Sequence, residues 1–167
     1  YNGVEFIGVY AVANEEMALL PMDSDGRFQE DISSALAVSS ARGTIASTNL
    51  IGSLVAMNSY GAAVTNFATD EELKAFPKLQ VLRVEDRLNA CGNNILVNDH
   101  GCLVNPELDD TTVHALEELF DVEVLRGTVA EQNTVGSVCK VTNKGLICHP
   151  ASSEDDLRML KDLFKVT

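Results

Sequence analysis

The chain has 167 residues, 46% of them apolar, enough for one compact domain with a real core. No apolar run approaches the roughly 20 residues that a bilayer-spanning helix needs. The formal net charge is −13, from 25 acidic and 12 basic residues. Such a surface repels phosphate and anionic lipid and argues against nucleic acid as the main source of affinity; it either favours a basic partner protein or simply maintains solubility.

The opening YNGVEFIGVYAV has no basic n-region, so no signal peptide is expected. A short helix is expected around 30–37. The second segment, 50-LIGSLVAMNSYGAAVTN-66, reads as a hairpin, followed by a helix over 69–76 and a strand over 79–84. The third, 90-ACGNNILVNDHGCLVNPEL-108, reads as strand 94–98, turn 99–101 and return strand 102–104, stopped by Pro106. Gly101 is expected to supply positive φ in that turn. Asp109 or Asp110 caps a helix over 111–120, with Val113, Leu116, Leu119 and Phe120 at helical spacing, and a strand follows at 122–126. The fourth copies it: strand 137–142, turn 143–145, strand 146–149, Ser153 as N-cap and helix 154–164.

These segments repeat. Gly8, Gly52, Gly92 and Gly136 are separated by 44, 40 and 44 residues. A second Gly follows nine residues later at Gly61, Gly101 and Gly145, with Met17 in its place in the first segment. Asn14, Asn58 and Asn98 lie six residues after the first Gly, and Asn143 lies seven after. A period near 40–45 means like units packed side by side, here approximately 1–48, 49–88, 89–132 and an incomplete 133–167. Each unit holds one helix, which cannot bury its apolar stripe without a neighbour.

Cys91, Cys102, Cys139 and Cys148 form no CxxC pair, and reduced buried thiols are expected. If the 142–145 turn closes a tight hairpin, Cys139 and Cys148 come near each other across two strands. A disulfide there is conceivable but not expected. Arg83, Glu85 and Arg87 read as a solvated ion-pair cluster.

The runs 83-RVEDRLNACGNNILVNDHGCLVNPEL-108, 120-FDVEVLRGTVAEQNTVGSVCKVTNKGLICHP-150 and 163-LFKV-166 resemble translation initiation factor 6 in its archaeal and eukaryotic forms. The opening IGVYAV and the ALLP at 18–21 resemble the archaeal version. The resemblance implies a pentein fold, a pseudo-fivefold α/β propeller ring, of which this chain would cover about four repeats and lack the fifth. It implies a non-catalytic factor that binds the large ribosomal subunit, through basic proteins beside the sarcin–ricin loop. Docked there, it would block the small subunit and take part in large-subunit maturation. The implied location is the cytoplasm, and the nucleolus as well for a eukaryotic chain.

The residue after each first Gly holds an equivalent place: Val9, Ser53, Asn93 and Ser137. The resemblance puts Asn93 first among ribosome contacts, with Ser53, Ser137, Val138 and Asn58 in the same set. The competing reading of Asn93 is that it only satisfies local backbone groups. For Asn58, Asn98 and Asn143 a structural turn role is preferred.

Guanidine-modifying enzymes also use the pentein fold, with a nucleophilic Cys, a His and carboxylates. Here His100 is a turn residue and His114 a helix-surface residue. Cys148 and His149 are strand neighbours pointing to opposite faces, so no dyad is expected. No Walker loop, GxGxxG, HExxH or GxSxG is present, and neither a cofactor nor a metal site is expected. A repeat module for an unrelated basic protein is the third reading.

Overall fold

Around each first glycine the backbone winds into a single helical turn before it extends, as seen in a computed structural model that describes residues 1–166. In chain order the elements are α1 (Ile7–Tyr10), β1 (Val12–Ala13), β2 (Met17–Pro21), α2 (Gly26–Leu36) and β3 (Ser39–Gly43). Then come α3 (Ile51–Leu54), β4 (Val55–Met57), β5 (Gly61–Thr65), α4 (Asp70–Leu73) and β6 (Gln80–Val84). The third series is α5 (Cys91–Asn94), β7 (Ile95–Val97), β8 (Cys102–Val104), α6 (Asp110–Phe120) and β9 (Val124–Arg126). Last are α7 (Val135–Val138), β10 (Cys139–Val141), β11 (Leu146–Cys148) and α8 (Glu154–Phe164).

Among the described residues the protein is therefore a mixed α/β fold with several small sheets and no closed barrel. Sheets β1-β2-β3, β4-β5-β6 and β7-β8-β9 each join an antiparallel hairpin to a parallel third strand, with a helix in the crossover. The sheet β10-β11 has two strands among the described residues.

The turns α1, α3, α5 and α7 correct the expected strands at 94–98 and 137–142, which start at Ile95 and Cys139. Each turn is closed by a bond from the following residue, such as Val55 N–H to Ile51 O, and that residue is already extended. Four residues make barely one turn and carry no helical periodicity, so the sequence could not announce them.

Local chemistry sets the longer helices. Ser153 and Asp156 form a capping box on α8, and Thr69 and Glu72 form another on α4. Asp25 accepts from the Phe28 N–H and starts α2 at Gly26, four residues earlier than expected. Asp109 caps α6 by position but not by its side chain. Asp86 instead reaches across to accept from the Asp109 N–H at 2.9 Å and the Thr112 hydroxyl at 3.1 Å. α2, α6 and α8 all end on a left-handed non-glycine residue: Ala37, Asp121 and Lys165.

Packing links each hairpin to the helix that follows in the next series. Ala56 and Ala63 cover Leu116, Leu119 and Phe120 in one cluster. Leu96 and Leu103 cover Leu160, Leu163 and Phe164 in another. Burial of each such Leu or Phe contributes roughly 1.5–3 kcal/mol, so these clusters bind neighbours together as well as filling each interior.

The glycines serve this packing, which corrects their expected role. Gly3 is the positive-φ glycine among the described residues, and Gly101 is not one. A Cβ on Gly52 would overlap the carbonyl of Gly8; on Gly92, that of Gly52; on Gly136, that of Gly92. The helical turns thus stack backbone on backbone. Gly61 and Gly101 face the ends of α6 and α8, where a Cβ would lie 2.6 Å from Leu119 Cγ and 2.6 Å from Leu163 O. Met17 replaces this glycine in the first hairpin, whose neighbouring helix α4 stops after four residues. The shortened helix leaves a recess lined by Met17, Ala75 and Leu79.

Candidate functional site

The stacked turns bring the residues after the glycines to one end of the molecule. Val9, Ser53, Asn93 and Ser137 border a shallow depression of about 240 Å³, together with Phe6 and Lys140. Phe6 and Val9 are 74% and 37% exposed and form its apolar side. Val138 follows in the same turn and is half-buried against the β10-β11 core.

The polar side chains here are uncommitted. Among the described residues, Ser53, Asn93 and Ser137 make no side-chain hydrogen bond to the protein. The local-backbone reading of Asn93 therefore has no bond behind it. Its neighbour Asn94 is the contrast: buried, with its amide donating to Leu88 O and Ala90 O and its oxygen accepting from Asn105. In a turn of four residues, one asparagine serves the interior and the next faces out.

No carboxylate lines the depression among the described residues, although the chain carries a net charge of −13. Lys140 is its cation. It is open to solvent yet hemmed in by surrounding protein, and that desolvation lowers its pKa. The sequence reading missed Phe6 and Lys140. Only strand alternation, which turns Lys140 away from buried Cys139, could have flagged the lysine.

Asn58, carried in the contact set, lies elsewhere. It is 2% exposed, at the hairpin-turn end. Its oxygen accepts from the N–H groups of Tyr60 and Gly61 at 3.0 and 3.1 Å. Its amide donates to Asn98 O at 3.3 Å and Phe120 O at 2.9 Å. Burial and four bonds keep this side chain from a partner, and its job is structural. Asn98 repeats the arrangement one series later, donating to Thr142 O and Phe164 O. Asn14 donates to Asn58 O at 2.7 Å. Each asparagine closes its own turn and staples the next hairpin, and two of them also satisfy the last carbonyl of the next helix.

Asn143 departs from this pattern. Thr142 takes the turn position, accepting from the Lys144 N–H. Asn143 reaches back to Asp99 at 2.6 Å and donates its N–H to Glu15 at 2.9 Å, linking the last hairpin to the first. Burial alone would raise the Asp99 pKa, but the Ser59 N–H and hydroxyl and the Asn143 amide hold it below the usual range.

The remaining candidates are dispersed. Arg83 pairs with Asp70 and Arg87 with Glu107, so the expected cluster is two separate pairs. His114 lies 3.0 Å from Glu117 on an exposed helix face, His100 is an exposed turn residue, and His149 accepts from the Ala151 N–H. Burial pushes the Cys91 and Cys102 thiols up, and burial with the adjacent Cys148 pushes Cys139 up to about 11, so these sulfurs are held protonated.

One end, built on stacked turns, carries uncommitted polar side chains and Lys140, buried stapling polar groups hold the other, and together the elements make a mixed α/β protein of several small sheets. The chain matches the family model described as the eIF-6 family over residues 1–167, and it belongs to that family. It is 40% identical to Translation initiation factor 6 of Methanocaldococcus jannaschii over 174 residues, covering 99% of this chain and 76% of that protein. The corresponding protein of Thermoplasma acidophilum is 34% identical, covering 97% of this chain and 75% of its own length. That of Haloquadratum walsbyi is 33% identical, covering 97% and 73%. Among the described residues, no helix is long and apolar enough to cross a membrane.

Proposed function

We propose that this chain binds the large ribosomal subunit and sterically keeps the small subunit from joining it, with a part in large-subunit maturation. Ser53, Asn93 and Ser137 supply the polar contacts, with Val9 and Val138 beside them. The fold is read as a pentein-type pseudo-fivefold ring, with units approximately 1–48, 49–88, 89–132 and 133–167. The partners are chiefly basic proteins beside the sarcin–ricin loop, and the compartment is the cytoplasm.

One observation carries this reading: three uncommitted polar side chains meet on a carboxylate-free depression of a strongly acidic protein. An interface needs donors and acceptors that folding has not consumed, around apolar contacts. The acidic remainder steers the protein toward basic protein surface and away from bare phosphate. Blocking requires surface complementarity and no reactive group. Membership in the eIF-6 family supports the ribosomal assignment.

The test is co-sedimentation with purified large and small ribosomal subunits, separately. Pelleting with large subunits alone, and loss of subunit joining in a light-scattering assay, is the expected result. A folded chain that pellets with neither subunit overturns the proposal.

A further inference from the structure

Cys139 and Cys148 are direct register partners in β10 and β11. Their counterparts in the two preceding hairpins are Val55 with Val64 and Ile95 with Val104. Where those hairpins place an apolar pair, this one places two thiols.

The ladder fixes how the two cysteines meet. The Thr142 N–H donates to Gly145 O at 2.9 Å, so 142 and 145 form a hydrogen-bonded pair. Pairs along an antiparallel ladder alternate, so 141 with 146 is non-bonded, 140 with 147 bonded, and 139 with 148 non-bonded. The third hairpin verifies this count: Asn98 N–H bonds Gly101 O, and Asn105 N–H bonds Asn94 O just beyond Ile95 and Val104. Non-hydrogen-bonded partners have Cα atoms about 4.5 Å apart, inside the usual window for a disulfide. Both side chains point to one face.

Access differs between the two. Cys139 is 3% exposed, whereas Cys148 is half-buried and within reach of a small reagent. Cys91 and Cys102 are fully buried on other elements.

We propose that Cys139 and Cys148 form a reversible redox pair that clamps the last hairpin. The co-reactant is a low-molecular-weight disulfide such as oxidised glutathione. The Cys148 thiolate attacks one of its sulfurs, forming a mixed disulfide and releasing one small thiol. Cys139 then loses its proton to solvent as its sulfur attacks Cys148 Sγ, closing the intramolecular bond and releasing the second small thiol; the high pKa of Cys139 makes this the slow step. The protein loses two protons and two electrons, and the small disulfide is reduced to two thiols. A reducing thiol pool reverses both steps. The bond closes across the strands that follow α7, the turn that carries Ser137 and Val138.

The native chain is incubated with oxidised glutathione, its free thiols are capped with iodoacetamide, and it is digested with trypsin. Cleavage at Lys140 and Lys144 separates the two cysteines, so a linked pair of peptides 127–140 and 145–158 is expected, and dithiothreitol should part them. Amide exchange over 140–147 should slow in the oxidised form. Cys139→Ser should instead hold a stable glutathione adduct on Cys148, and Cys148→Ser should take up none. A persistent adduct on Cys148 in the native chain, a linkage through Cys91 or Cys102, or unreacted thiols under these conditions overturns the proposal.

Discussion

The side-chain amide of Asn98 donates to the backbone carbonyl of Phe164, 66 residues further on, at 3.0 Å. Phe164 ends α8, where a helix leaves its carbonyls without intrahelical partners. One asparagine thus closes its own turn, holds Thr142 O, and caps a helix from the following series. Asn98→Ala removes all of these and leaves buried acceptors bare. The expected loss is about 2–3 kcal/mol of unfolding free energy, read from urea titration. An unchanged midpoint would show that water replaces the staple without cost.

Two glycines at different places in the repeat should respond in opposite ways. Gly92→Ala drives a methyl into the carbonyl of Gly52, a backbone atom that cannot rotate away. It should cost roughly 3 kcal/mol, at the upper end for overpacking. A Cβ on Gly145 meets nothing within 4 Å, and Gly145→Ala should shift stability by about 0.5 kcal/mol or less. Thermal unfolding of both variants decides the point, and equal losses would refute the stacking argument.

Asn93→Asp keeps the size of the side chain and spends no internal hydrogen bond, because none is made. It adds a negative charge to a depression that has no carboxylate. Large-subunit affinity should fall by about tenfold, because the amide's N–H donors are lost at a packed contact, with the melting temperature nearly unmoved. Undiminished pelleting by the folded variant would mean that this end is not the contact face.

Acid should reveal the loop that Glu72 holds. Desolvation would raise its pKa. The backbone N–H groups of Thr69 and Ser47 and the hydroxyls of Thr44 and Thr69 outweigh it and hold the carboxyl down at about 2, from an ordinary 4.5. A depressed folded pKa means stabilisation that is complete above the unfolded value and lost as pH falls from 4.5 through about 2. Asp86, Asp99 and Asp156 shift the same way. Glu72→Gln should cost about 1 kcal/mol at pH 7, the worth of a helix cap, and the gap to the native chain should close toward pH 2. A difference that persists at pH 2 would assign the loss to packing instead.

Much of the architecture was legible because it is written in local chemistry. Ser153 as N-cap marked the start of α8, and Leu157, Leu160, Leu163 and Phe164 at helical spacing marked its apolar face, of which the last three are buried. The paired strands followed from short β-prone runs between Gly and Asn turn residues. The helical turns were not legible, since Ile51–Leu54 and Cys91–Asn94 are too short for a period to register. The reason for the glycines was not legible either. A missing Cβ answers equally to a left-handed backbone or to a carbonyl arriving from 40 residues away, and only the assembled neighbours tell them apart. Asn58 and Asn93 show the same limit at the site. Both are asparagines at fixed offsets from a glycine, and tertiary burial alone separates the buried staple Asn58 from half-buried Asn93.

The glycine stack has a consequence for how such a surface can change. Gly52, Gly92 and Gly136 each sit against the main-chain carbonyl of the preceding glycine, Gly8, Gly52 and Gly92. The positions immediately after them inherit a fixed location in space without owing anything to the interior. Val9, Ser53, Asn93 and Ser137 already differ in size and polarity on the same scaffold. On the proposed reading, that end of the molecule is a platform on which recognition can be rewritten one residue at a time while the scaffold beneath keeps its shape.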